Sequence, residues 1–131
     1  MLFKVLLIIG STITISFGAW HLFVPAIWNW YSYFPKEARE LVVAVRAINL
    51  FFSVSLIVFG AIMLVFLYRK PLAVFYVRSI AACLALLWCI RSITQVIWPQ
   101  GSINPVIQFG MLGIFIVTFL LFVTSTFLIK E

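Results

Sequence analysis

Four long apolar runs, separated by short breaks of proline, glycine and charge, organise this chain. They extend from Leu2 to about Trp28, from about Pro35 to Tyr68, between Pro71 and Trp98, and between about Asn104 and Lys130. The breaks fall at Tyr33-Phe34-Pro35, Arg69-Lys70-Pro71 and Trp98-Pro99-Gln100-Gly101, the residue types that punctuate helices. Pro35, Pro71 and Pro105 each stand near the start of a run, where a missing N–H removes no intrahelical bond. Crossing the hydrocarbon takes about 20 apolar residues as a helix, and each run supplies them. The expected fold is an all-α integral membrane protein, a four-transmembrane-helix bundle forming a single membrane domain over residues 1–131. Spans are predicted at 3–27, 41–68, 75–98 and 105–129.

Helical spacing then gives each span one polar or small-residue stripe. The first carries Gly10, Thr14, Gly18 and His21, a face that lets another helix approach closely. On the second, Arg39, Arg46, Asn49 and Ser53 share a side; on the fourth, Asn104, Gln108, Met111 and Thr118 do. The third presents Trp88, Arg91, Gln95 and Trp98. Everything else on these helices is bulky Leu, Ile, Val and Phe, so four inward stripes predict a compact bundle.

Composition agrees with the pattern. Hydrophobic residues make up 66% of the 131 and charged residues 9%, with a mean hydropathy of +1.25; a soluble domain carries about 25% charge. No room is left for a soluble catalytic domain. The net charge of +6 lacks the clustering of a nucleic-acid footprint, because Lys4, Arg69, Lys70, Arg78 and Lys130 flank the apolar runs. Nucleic acid is therefore not an expected partner. By the positive-inside argument these residues put both termini and the 2–3 connection in the cytoplasm, with a bacterial cytoplasmic (inner) membrane as the expected location. Lys36 and Arg39 on the other side stand beside Glu37 and Glu40, acids suited to the first turn of the second helix. All five tryptophans fall in the outer half, some as interfacial belt residues. Met1-Leu2-Phe3-Lys4 ahead of an apolar run also resembles a signal peptide, with Ser16-Phe17-Gly18 as a small-residue cleavage site. The expectation is that this segment is retained as the first helix.

Arg91 is the residue that carries most functional meaning. It is a charge inside a span, and the spans hold no carboxylate to neutralise it. Such a charge faces protein, a water-filled cavity or a ligand. At 1.5 Å per residue Arg91 lies about 10 Å below Trp98, Arg46 about 7–8 Å below Leu41, and Gln108 about 6 Å below Asn104. His21 falls near the outer end of its helix. The expected site is therefore an outer-leaflet polar pocket of Arg91, Arg46, His21, Trp88, Gln95, Asn49, Gln108 and Trp98. Each has a second reading. Residues 47–67 alone suffice to span, which would leave Arg46 as a snorkelling anchor; Asn49, Gln95 and Gln108 also fit interhelical hydrogen bonds, and Trp88 fits a core.

Much chemistry is excluded. The chain has one His and no Asp, too little for bis-histidine haem ligation, a metal cluster or an intramembrane acid relay. Cys83 and Cys89 are six residues apart on one helix, about 9 Å along its axis, too far for a disulfide. No catalytic residue and no cofactor is expected, and an enzyme is disfavoured. The layout of four spans with a basic, proline-started inner loop resembles that of the small DoxX-like membrane proteins, in topology and without a shared motif.

Two functional readings follow. One is an accessory or structural membrane protein, a homo-oligomer or a small subunit beside a partner membrane subunit. The other is a binding protein or carrier for an anionic or polar amphiphile (a lipid headgroup, a quinone-like ring or a carboxylate) held by Arg91 and Arg46, whose planar forks suit phosphate or carboxylate. Membrane lipids are partners in both.

Overall fold

A computed structural model describes residues 1–69 and 74–129; the parts of the predicted elements that fall on Lys70-Pro71 and Lys130 lie outside the described residues. The described chain contains four helices, α1 (Leu2–Ile27), α2 (Arg39–Tyr68), α3 (Val74–Ile97) and α4 (Pro105–Leu128), with a 3-10 turn at Trp30–Tyr33 between α1 and α2. All four are long and apolar enough to cross a membrane, consistent with an integral membrane protein.

Local chemistry sets the helix ends near the tryptophans. Pro105 opens α4 while the Asn104 side chain accepts a hydrogen bond from the Val106 backbone N–H at 3.0 Å, an N-cap that satisfies one of the free amides. Glu40 stands in the first turn of α2, where its charge meets the positive end of the helix dipole. Between α1 and α2 the chain turns at Asn29, whose φ of 49° is left-handed, a conformation asparagine adopts more readily than most residues.

Buried positions repeat at spacings of three and four. On α2 they are Asn49, Ser53, Leu56, Gly60, Met63 and Leu67; on α4 they are Met111, Phe115, Thr118, Phe122 and Ser125. This is the seam of an antiparallel bundle. Contacts fix the register: Gly10 lies against Phe122, Gly18 against Ser53 and Leu56, and Gly60 against Ser11 and Ile15. The chain thus runs up, down, up, down, with Leu7, Met63, Val77 and Ile129 sharing the core. One end of the bundle carries the first and last described residues; the other carries the tryptophan-rich turns.

Polar residues are buried in the interior while large apolar side chains face outward. Ser11, Thr14, Ser53, Gln95, Thr118 and Ser125 are buried, while Phe51, Phe75, Val106 and Phe127 are well exposed. Most hydroxyls inside are satisfied by their own helices, for example Thr14 donating to the Gly10 carbonyl and Ser53 to that of Asn49, each at 2.7 Å; the buried Ser11 Oγ has no partner. Such pairing within a helix suits a hydrocarbon solvent, in which an unsatisfied polar group is costly. Small residues draw α1 and α2 together.

The helices do not close evenly. α1 packs along α2, α3 along α4, and α1 along α4, whereas α2 and α3 barely meet. A trench remains between them. Phe51, Val54, Leu87 and Ile90 stand exposed along its sides.

Candidate functional site

The trench floor is aromatic. Phe17 from α1 meets Trp88 edge-on at 5.5 Å and Phe115 at 5.2 Å between ring centroids. Trp88 is held by a hydrogen bond from its Nε1 to the Thr14 hydroxyl at 3.1 Å, which ties α3 to α1 through the core. Leucine, isoleucine, valine and phenylalanine complete the walls, and the space between α2 and α3 amounts to about 980 Å³. On α2 it extends from Ala47 to Phe59, about 18 Å along the helix axis.

Arg91 closes the upper end. The residue is half-buried and its guanidinium lies over the Phe115 ring at 4.3 Å. One terminal nitrogen donates to the Thr94 hydroxyl at 3.3 Å, the other to Gln100 Oε1 at 2.6 Å. Both acceptors are neutral, so the positive charge is oriented without being cancelled. An Arg in that condition, stacked and held by its fork, is prepared for a planar or tetrahedral anion.

Above Arg91 a smaller space of about 390 Å³ is lined by His21, Trp30, Asn49, Thr94, Trp98 and Gln100 among others. Ile48, Phe52, Arg91 and Thr94 line both spaces. The two therefore form one channel, polar at the tryptophan-rich end and apolar below. Among the described residues lining it, Arg91 carries the one permanent charge. His21 sits among aromatic rings, with Phe52 at 4.9 Å and Trp30 at 6.1 Å. Asn49 donates from Nδ2 to the His21 carbonyl at 3.3 Å. His21 Nδ1 and Asn49 Oδ1 are buried without a hydrogen-bond partner, a local cost of about 1–3 kcal/mol per group.

The eight residues that the sequence nominated separate in space. Arg91, His21, Asn49 and Trp98 line the mouth, and Trp88 lines the trench below it. Gln95 is buried behind the mouth, where its Nε2 donates to the Gln100 carbonyl at 2.9 Å and its Oε1 accepts from the Gln100 amide at 3.4 Å. It positions the loop that carries the Arg91 partner. Arg46 is exposed and lies over the Tyr31 ring at 4.5 Å, away from both cavities. Gln108 is half-buried on α4 and lines neither.

Several residues at or beneath the site escaped the sequence reading. Thr94 stands three residues from Arg91 on the same helix face and carried a usable signal. Phe52 and Phe115 are two of 14 phenylalanines, with nothing in the spacing to distinguish them. Gln100 belongs to a break, where helical periodicity says nothing about direction.

Other chemistry is sparse. Cys83 is exposed, Cys89 is half-buried, and the two are unpaired. Among the described residues no group of His, Cys, Asp or Glu is placed to hold a metal ion. A further recess of about 720 Å³ between α1 and α4, beside Gly110 and Gly113, is lined by no charged residue among the described residues. No protein-family model, curated protein or solved structure matches the chain.

Proposed function

We propose that the protein binds an anionic or polar amphiphile, with the head at Arg91 and the apolar part in the trench between α2 and α3. The observation that carries this reading is the continuity of the two cavities: a mouth with one uncancelled cation opens directly into an apolar space that faces the lipid side. Thr94 and Gln100 orient the guanidinium, Trp88 and Phe17 floor the trench, and His21 and Asn49 shape the mouth. The role is binding or carriage, without a chemical step. Arg46 acts as an interfacial anchor.

The same reading has the tryptophan-rich end on the outer face of a cytoplasmic membrane and both chain ends inside. Lys4, Arg69 and Arg78 at the opposite end of the bundle support it, since basic residues favour the cytoplasmic side.

A second reading gives the trench to a helix of a partner subunit or a second copy, the accessory role that the composition suggests. Its support is the sideways opening between α2 and α3. Native mass spectrometry of protein released from mild detergent separates the two. Amphiphile binding predicts a retained small-molecule mass on wild type that is lost in Arg91→Ala. Loss of an oligomer peak, with no adduct in either sample, would favour the accessory role and refute binding.

A further inference from the structure

We infer that the amphiphile is a two-chained phospholipid whose phosphate sits on Arg91, an assignment that rests on the amphiphile-binding reading above. The dimensions of the channel select this class. A methylene fills about the same space as a water molecule's share of the liquid, about 30 Å³. The trench of about 980 Å³ therefore holds roughly 33 such units, which corresponds to two chains of ordinary fatty-acid length. Its length of about 18 Å along α2 is a little over half of a hydrocarbon core about 30 Å thick. That is the depth reached by the chains of one leaflet. A single fatty acid matches the length and covers about half of this side-open space. An isoprenoid tail long enough to fill the volume overruns the length.

The mouth selects the head. It offers about 390 Å³ over a height of about 10 Å between Arg91 and Trp98. A carboxylate or a quinone carbonyl would occupy a small part of it. A phosphodiester with its glycerol fills it, and its single negative charge balances the one cation of the channel. The non-bridging phosphate oxygens accept from the guanidinium fork, which now donates to the neutral Thr94 and Gln100 oxygens at 3.3 and 2.6 Å. The Thr94 hydroxyl keeps its own proton on the Arg91 carbonyl at 2.9 Å, so the guanidinium supplies the donors to the phosphate. Among the described residues no carboxylate lines the mouth to repel the anion. The recess between α1 and α4 has comparable apolar space and no cation, so the phosphate distinguishes the two.

The test is a native mass spectrometric titration of delipidated full-length protein in neutral detergent. The probes are dipalmitoyl phosphatidylglycerol, its one-chained lyso form, dipalmitoylglycerol, palmitate and decylubiquinone. The inference predicts that phosphatidylglycerol binds at least tenfold tighter than each of the others. Arg91→Ala should abolish its advantage over dipalmitoylglycerol. Ser55→Trp, which fills the trench from α2 without touching Arg91, should abolish its advantage over the lyso form, and it carries the test even if Arg91→Ala fails to fold. If palmitate or the quinone binds at least as tightly and depends on Arg91, the phospholipid assignment is wrong while amphiphile binding stands. If no probe depends on either residue, both fall.

Discussion

Substituting Gly18 by alanine should loosen the α1–α2 seam, and the structure gives the size of the effect. A Cβ built there would lie 2.7 Å from the Ser53 carbonyl oxygen and 3.0 Å from Leu56 Cβ. The first of these is a backbone atom and cannot rotate aside. Ordinary contact begins at 3.4 Å, so the helices must part by roughly 0.7 Å along the line between them. Overpacking of this kind costs about 1–3 kcal/mol. Gly110 on α4 provides the matched control, because a Cβ there meets nothing within 4 Å. Exchanging glycine for alanine inside a helix gains about 0.5–1 kcal/mol from chain entropy, and that gain is common to both variants. The difference between them isolates the clash. Unfolding in mixed micelles by an ionic detergent, followed by tryptophan fluorescence, should place Gly18→Ala about 1–3 kcal/mol below Gly110→Ala. Equal stability of the two, within about 0.5 kcal/mol, would refute the close approach and the register built on it.

Three other perturbations probe separate parts of the account. Thr14→Val strands the buried Trp88 Nε1 donor and should cost about 1–3 kcal/mol; in a double-mutant cycle with Trp88→Phe, most of that cost should disappear. Gln95→Leu removes both hydrogen bonds to Gln100, so amide exchange in residues 100–103 should accelerate while exchange in α1 stays unchanged. Arg46→Ala removes the contact over Tyr31, worth about 0.5–1 kcal/mol at an exposed site, and should leave amphiphile retention as in wild type.

The number of helices and their apolar character were legible because a hydrocarbon solvent demands long uninterrupted runs, and the breaks at Pro35 and Pro99-Gln100-Gly101 interrupt them. The inward stripes of Thr14, Gly18, Asn49, Ser53, Met111 and Thr118 were legible too, since small and polar residues stand out against Leu, Ile and Val. Helical spacing fixes which residues share a face. It does not fix which helix that face meets. The weak α2–α3 seam, and with it the trench, depends on α2 presenting its small residues to α1 and leaving Phe51 and Val54 outward. Arg46 shows the same limit. It shares a side with Asn49 by spacing, yet one turn nearer the helix start it reaches Tyr31 in the preceding turn, a partner set by the path of the chain between α1 and α2. Trp98 continues the Trp88-Arg91-Gln95 stripe, but α3 ends at Ile97 and the indole is left mostly exposed at 71%. Gln100 became visible as an Arg91 partner only when the loop beyond α3 folded back over Gln95.

The most direct test of the central claim is where a bound amphiphile lies. A phospholipid carrying a photoactivatable diazirine midway along one chain, added in trace amounts to protein in unlabelled vesicles, marks its neighbours on illumination, and peptide mass spectrometry reads the sites. The account predicts labelling concentrated at Phe51, Val54, Ser55 and Leu87 of the trench, and at least a tenfold loss of that labelling in Arg91→Ala. Labels spread evenly over outward residues such as Val65, Phe75 and Phe127, unchanged by the substitution, would contradict it.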